Sequence, residues 1–74
     1  MATKQEMMER ARLVRGLANA LTHDAEYIYD DVRTYDIVCM TESIRDIRET
    51  INKLVDNVTE LEYMLYLAKR GESR

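Results

Sequence analysis

IVCMTESIRDIRETINKLVDNVTELEYMLYLA, residues 37–68, decides the fold. Ile37, Met40, Ile44, Ile47, Ile51, Leu54, Val58, Leu61, Leu65 and Ala68 recur at alternating spacings of three and four. That is the a/d pattern of a heptad, and it lays one apolar seam along a long helix. The first half repeats the pattern with Met7, Ala11, Val14, Ala18, Leu21, Ala25, Ile28 and Val32. Alanine holds most of one of its rows, which lets a neighbouring helix come close. Thr22, His23 and Asp24 fall at e, f and g, so the spacing predicts one continuous helix through them.

The two patterns are out of phase. Continuing the first would put the next a position at Cys39, yet the second begins at Ile37. A slip of phase between regular helices marks a turn, here near Thr34-Tyr35-Asp36, with Asp36 capping the second helix; Thr41-Glu42-Ser43 is a second plausible helix start and would put the turn later. Thr3-Lys4-Gln5-Glu6 reads as the capping box that starts the first helix. Lys69 and Arg70 suit a helix C-terminus, and Gly71 suits the left-handed residue after it. The chain reads as a single helical domain over 1–74, with helix 1 about 4–34, a turn about 34–37 and helix 2 about 37–70. Folding back at Asp36 pairs Ile28 with Ile44, Leu21 with Ile51, Ala18 with Leu54 and Val14 with Val58. The arms of this antiparallel hairpin span roughly 45 Å at 1.5 Å per residue.

Composition agrees with an all-α fold. Proline is absent, and Gly16 and Gly71 are the only glycines. A core this small supplies only about 3–5 kcal/mol without a staple. Cys39 is the single cysteine, so no intrachain disulfide forms, and His23 with Cys39 fits no zinc spacing. Self-association is the remaining staple, and two hairpins joining into a homodimeric four-helix bundle is the expected architecture. A bent three-helix monomer, broken near His23 and Met40, is the alternative.

Apolar residues outside the seam mark surfaces that need cover. Leu13, Leu17, Val55, Tyr63, Met64 and Leu67 gather where both termini meet and are the candidate partner or dimer interface. No apolar run approaches a membrane span, and Met1 to Met8 carry no apolar signal region. The expected location is therefore the cytoplasm, with no membrane partner.

Little here can carry chemistry. His23, Glu26 and Asp30 share a helix face, which keeps a metal-dependent enzyme as a third hypothesis, yet a solvated acidic face explains them as well. Cys39 has no base within reach and reads as a structural thiol. No phosphate loop or serine elbow is present. The chain is expected to be no enzyme and to need no cofactor or metal.

Charge is uneven. Residues 1–20 and 63–74 each carry net +2, residues 21–36 carry net −4 and residues 37–62 carry net −3. Thr3-Lys4-Gln5-Glu6 followed by Ala11-Arg12-Leu13-Val14-Arg15 resembles the opening of the plasmid Rop family. That family comprises RNA-binding antiparallel hairpin dimers. The resemblance implies an architecture and does not extend into helix 2. It motivates the second functional reading, an RNA- or DNA-binding dimer contacting nucleic acid through Arg10, Arg12 and Arg15. The first reading is a small non-enzymatic regulator or adaptor that binds a protein, of the kind phages and plasmids use as accessory proteins or inhibitors of host machinery.

Overall fold

The computed structural model describes residues 3–72. Thr3 starts the first helix as the capping box requires. Its backbone is extended, and its Oγ1 accepts the Glu6 N–H at 3.2 Å. Helix α1 then runs unbroken from Lys4 to Thr34, and α2 from Ile37 to Glu72. The continuity of α1 through His23 rules out the bent three-helix alternative.

Two residues make the turn. Tyr35 takes the left-handed conformation at φ 54°, ψ 44°. Its N–H donates to the Val32 carbonyl at 3.1 Å, and the Asp36 N–H reaches the Asp31 carbonyl at 3.0 Å. This crossed pair is a Schellman ending, which usually takes glycine at the position Tyr35 holds. Asp36 serves both helices. Its N–H closes α1, and its Oδ1 accepts the Cys39 N–H at 3.1 Å, capping α2. The hairpin is therefore antiparallel with almost no slack between its arms.

At the far end α2 outruns expectation. Gly71 lies inside the helix and no glycine among the described residues has positive φ. The terminating role assigned to Gly71 is thus not the one it plays. Arg74, counted in the basic tail, lies outside the described residues.

The helices pack over the length of a slab 58 × 14 × 12 Å. Contact falls on two adjacent heptad rows of each helix. Met7, Val14, Leu21 and Ile28 of α1 meet Met40, Ile47, Leu54 and Leu61 of α2, all half-buried. Beside them run Arg10, Leu17, Asp24 and Asp31, and Ser43, Thr50, Asn57 and Met64, also half-buried. Three side-chain hydrogen bonds fasten this second pair of rows. Arg10 Nη1 donates to Asn57 Oδ1 at 2.7 Å, Thr50 Oγ1 to Asp24 Oδ2 at 2.8 Å, and Ser43 Oγ to Asp31 Oδ2.

The other half of the expected seam is left out. Ile37, Ile44, Ile51, Val58 and Leu65 are 38–59 % exposed, and Ala18, Ala25 and Val32 are exposed as well. Pairings such as Leu21 with Ile51 are displaced by this roll, which instead puts Asp24 beside Thr50. Among the described residues no side chain is fully buried.

Two variants probe the frame. Leu54→Asp places a carboxylate between the helices and should cost about 2–4 kcal/mol, enough to collapse the helical circular dichroism. Gly16→Ala should do the opposite. A methyl there meets nothing within 4 Å, so helix propensity alone acts and stability should rise by about 1 kcal/mol. An unchanged melting temperature in both variants would contradict this packing.

Candidate functional site

The hairpin has two unlike broad faces. In an antiparallel pair, corresponding heptad rows of the two helices lie on the same side. The rows joined by the three hydrogen bonds therefore form one face, the bonded face. The rows holding Ala18, Ala25 and Val32 and holding Ile37 to Leu65 form the other, the open face. No charged residue interrupts the open rows from Ala11 to Val32 or from Ile37 to Leu65.

The expected interface residues divide between these faces. Leu13 and Met64 line one shallow groove on the bonded side with Glu6, Glu9 and Arg10. Leu17 and Leu67 are half-buried in adjoining positions, Leu13 and Tyr63 are exposed, and all five belong to the end where the termini meet. Val55, 56 % exposed, sits apart on the edge of the open face. Of the arginines assigned to nucleic acid, Arg10 is half-buried against Asn57, while Arg12 and Arg15 are exposed.

At the turn end a second groove is lined by Asp24, Tyr27, Asp31, Cys39, Glu42, Ser43 and Asp46. Two of its carboxylates already accept hydroxyl hydrogen bonds, Asp24 from Thr50 and Asp31 from Ser43. Among the described residues no group of three histidine, cysteine or acidic side chains comes together to hold a metal ion. His23, Glu26 and Asp30 are all exposed. None of the described helices is long and apolar enough to cross a membrane.

Asp36 and Cys39 are electrostatically coupled. The Cys39 N–H, followed by the Cys39 thiol, holds the Asp36 carboxyl below its ordinary value of 3.8. The same carboxylate raises the Cys39 thiol, first by accepting its hydrogen bond and then by its charge, with Asp31 and Glu42 adding to the effect. Cys39 is thereby kept as a thiol. A reactive cysteine needs the opposite surroundings, cationic and stabilising to a thiolate.

The sequence reading missed the bonded face. Its signal was present as polar residues at seven-residue spacing beside each seam: Arg10, Asp24 and Asp31, and Ser43, Thr50 and Asn57. Such rows look like solvated positions until the helices are paired. No protein-family model matches the chain, and no curated protein or solved structure is significantly similar to it.

The cap makes stability pH-dependent. A carboxyl whose folded value is depressed contributes fully above its unfolded value, and the contribution is lost as pH falls through the folded value. Wild-type melting temperature should therefore drop on acidification below 3.8 more steeply than that of Asp36→Asn, which caps without titrating. Thermal melts of both proteins on either side of that pH check the difference. Parallel curves would remove Asp36 as the titrating cap.

Proposed function

We propose that the protein is a small non-enzymatic regulator or adaptor that acts as a homodimer by binding another protein. The observation that carries this is the uncovered apolar surface on an otherwise regular frame. Two helices tied by a two-residue turn hold apolar side chains in fixed positions on both faces, and the hairpin covers only the strip between them. Apolar patches of this extent on small proteins mark association sites.

The two surfaces suit different occupants. The open face is long, uncharged and continuous, as self-association requires. The cluster of Leu13, Leu17, Tyr63, Met64 and Leu67 is short, and Glu6, Glu9 and Arg10 line the groove that Leu13 and Met64 share. Its complement is a protein surface with apolar anchors and charges of both signs around them. An aromatic anchor such as Tyr63 and a guanidinium such as Arg10 are the residue types that dominate interface energetics.

Nucleic-acid binding through Arg12 and Arg15 is the competing reading, and the overall charge of −3 works against it. The decisive test is capture from a native lysate with Leu13→Glu and Tyr63→Glu beside the wild type. Both positions are more than half exposed, so helicity should be unchanged. Loss of a specific protein partner with unchanged melting supports the reading. A salt-dependent shift of RNA or DNA that Arg12→Ala and Arg15→Ala abolish would replace it.

A further inference from the structure

We infer that a second copy of this chain covers the open face, lying in the same direction so that each α1 packs on the α2 of its partner. This rests on the homodimer reading above and specifies its geometry.

Area is the first argument. A folded monomer of this mass exposes roughly 4,700 Å², whereas the hairpin exposes 6,027 Å². Sealing that excess of about 1,300 Å² on each of two copies would bury about 2,600 Å², within the ~2,000–5,000 Å² of obligate homodimers. The open face is where the surplus is apolar. Ala18, Ala25 and Val32 lie on α1 and Ile44, Ile51 and Val58 on α2, all exposed.

Symmetry and charge then select the direction. Two hairpins can meet face to face about a two-fold axis along their length or one across it. An axis along the length permits no sliding. Each residue of α1 meets the partner's α2 at the level it holds beside its own, and the Asp24–Thr50 and Asp31–Ser43 bonds fix that level. Ala25 then lies opposite Ile51 and Ala18 opposite Val58, small against large. At the edges of the face, Arg12 and Arg15 come level with Glu62 of the second copy, and Glu26 with its Arg45 and Arg48. All six are exposed in the single hairpin. Two-fold symmetry makes four such clusters, each joining opposite charges across an apolar seam as e and g residues do in coiled coils.

An axis across the hairpin gives no such match. It sets α1 against α1, bringing Arg12 towards Arg33 and Glu26 towards Asn19. It sets α2 against α2, with Arg45 and Arg48 towards Thr59 and Val55. Its one advantage, separating the like-charged ends, is small. The acidic groove of Asp24, Asp31, Glu42 and Asp46 lies on the bonded face, so it faces outward in either dimer and is screened within about 8–10 Å.

The native Cys39 reports the direction. With nitroxides on Cys39 of both copies, the same-direction dimer places them under about 30 Å apart, given helix spacings of about 10 Å. An opposed dimer centred near Ile51 would separate them by about 40 Å at 1.5 Å rise per residue. Double electron–electron resonance on the wild-type chain, with sedimentation to establish the dimer, distinguishes the cases. Glu62→Arg should weaken the dimer several-fold, and adding Arg12→Glu and Arg15→Glu in the same chain should restore it. Ile51→Asp should give a helical monomer, because a single hairpin leaves Ile51 42 % exposed. A monomeric wild type overturns both the homodimer and this geometry. A dimer with the long distance, or one that Glu62→Arg does not weaken, overturns the geometry alone. If Ile51→Asp loses helix together with association, the wild-type distance decides.

Discussion

Each helix carries three adjacent apolar or part-apolar heptad rows, and one neighbouring helix can cover only two. That mismatch governs the molecule. An apolar stripe matched to a single partner would close a hairpin upon itself and leave polar flanks. Here the central row of each helix is shared, one flanking row is spent on the hairpin and the other is left over. The leftover rows fall on the same side because the helices are antiparallel, and that direction follows from the two-residue turn at Tyr35 and Asp36.

Why the hairpin rolls towards its polar rows, leaving isoleucines exposed, is answered by the hydrogen bonds. Arg10 bonds Asn57, Asp24 bonds Thr50 and Asp31 bonds Ser43 across the helix pair, while Thr50 and Asn57 also donate to the Asp46 and Lys53 carbonyls of their own helix. Each of these cross-helix bonds has a charged partner, and such bonds contribute roughly 1.5–3 kcal/mol, comparable to fully burying an isoleucine at about 1.5–3 kcal/mol. The roll therefore keeps three cross-helix bonds and leaves Ile44 and Ile51 uncovered. The second copy proposed above would cover those isoleucines while the bonded face keeps its pairs.

Local chemistry made much of this fold legible in the sequence. The N-cap at Thr3, the phase slip before Ile37 and the cap at Asp36 each depend on residues within one helical turn, and all are present. The heptad showed that two long helices exist, and His23 could be placed inside α1 because e, f and g positions tolerate polar residues. The roll of one helix on the other was not legible. It depends on which of two flanking rows wins, and an isoleucine at position 51 reads the same whether its neighbour belongs to this chain or another. Gly71 misled for a related reason: glycine permits a left-handed ending without compelling one. The residues at Leu13, Tyr63 and Met64 were recognisable as apolar and surplus, but the face each occupies was set only by the roll.

Tyr35 shows what such a tight connection costs. A non-glycine residue in the left-handed region is disfavoured by about 1 kcal/mol or more, and the two bonds of the Schellman ending hold it there. A longer loop would relieve the strain at little entropic cost, but it would also free the two arms to slide and rotate. The levels that bring Asp24 to Thr50 and Asp31 to Ser43 would then be set by packing alone. The matched edges of the open face depend on those same levels, since Arg12 is level with Glu62 only while the arms keep their register. A strained two-residue turn at one end of a 58 Å hairpin therefore acts on side chains far from it. It sets the register on which the cross-helix bonds depend, and on which the proposed pairing of two copies would depend.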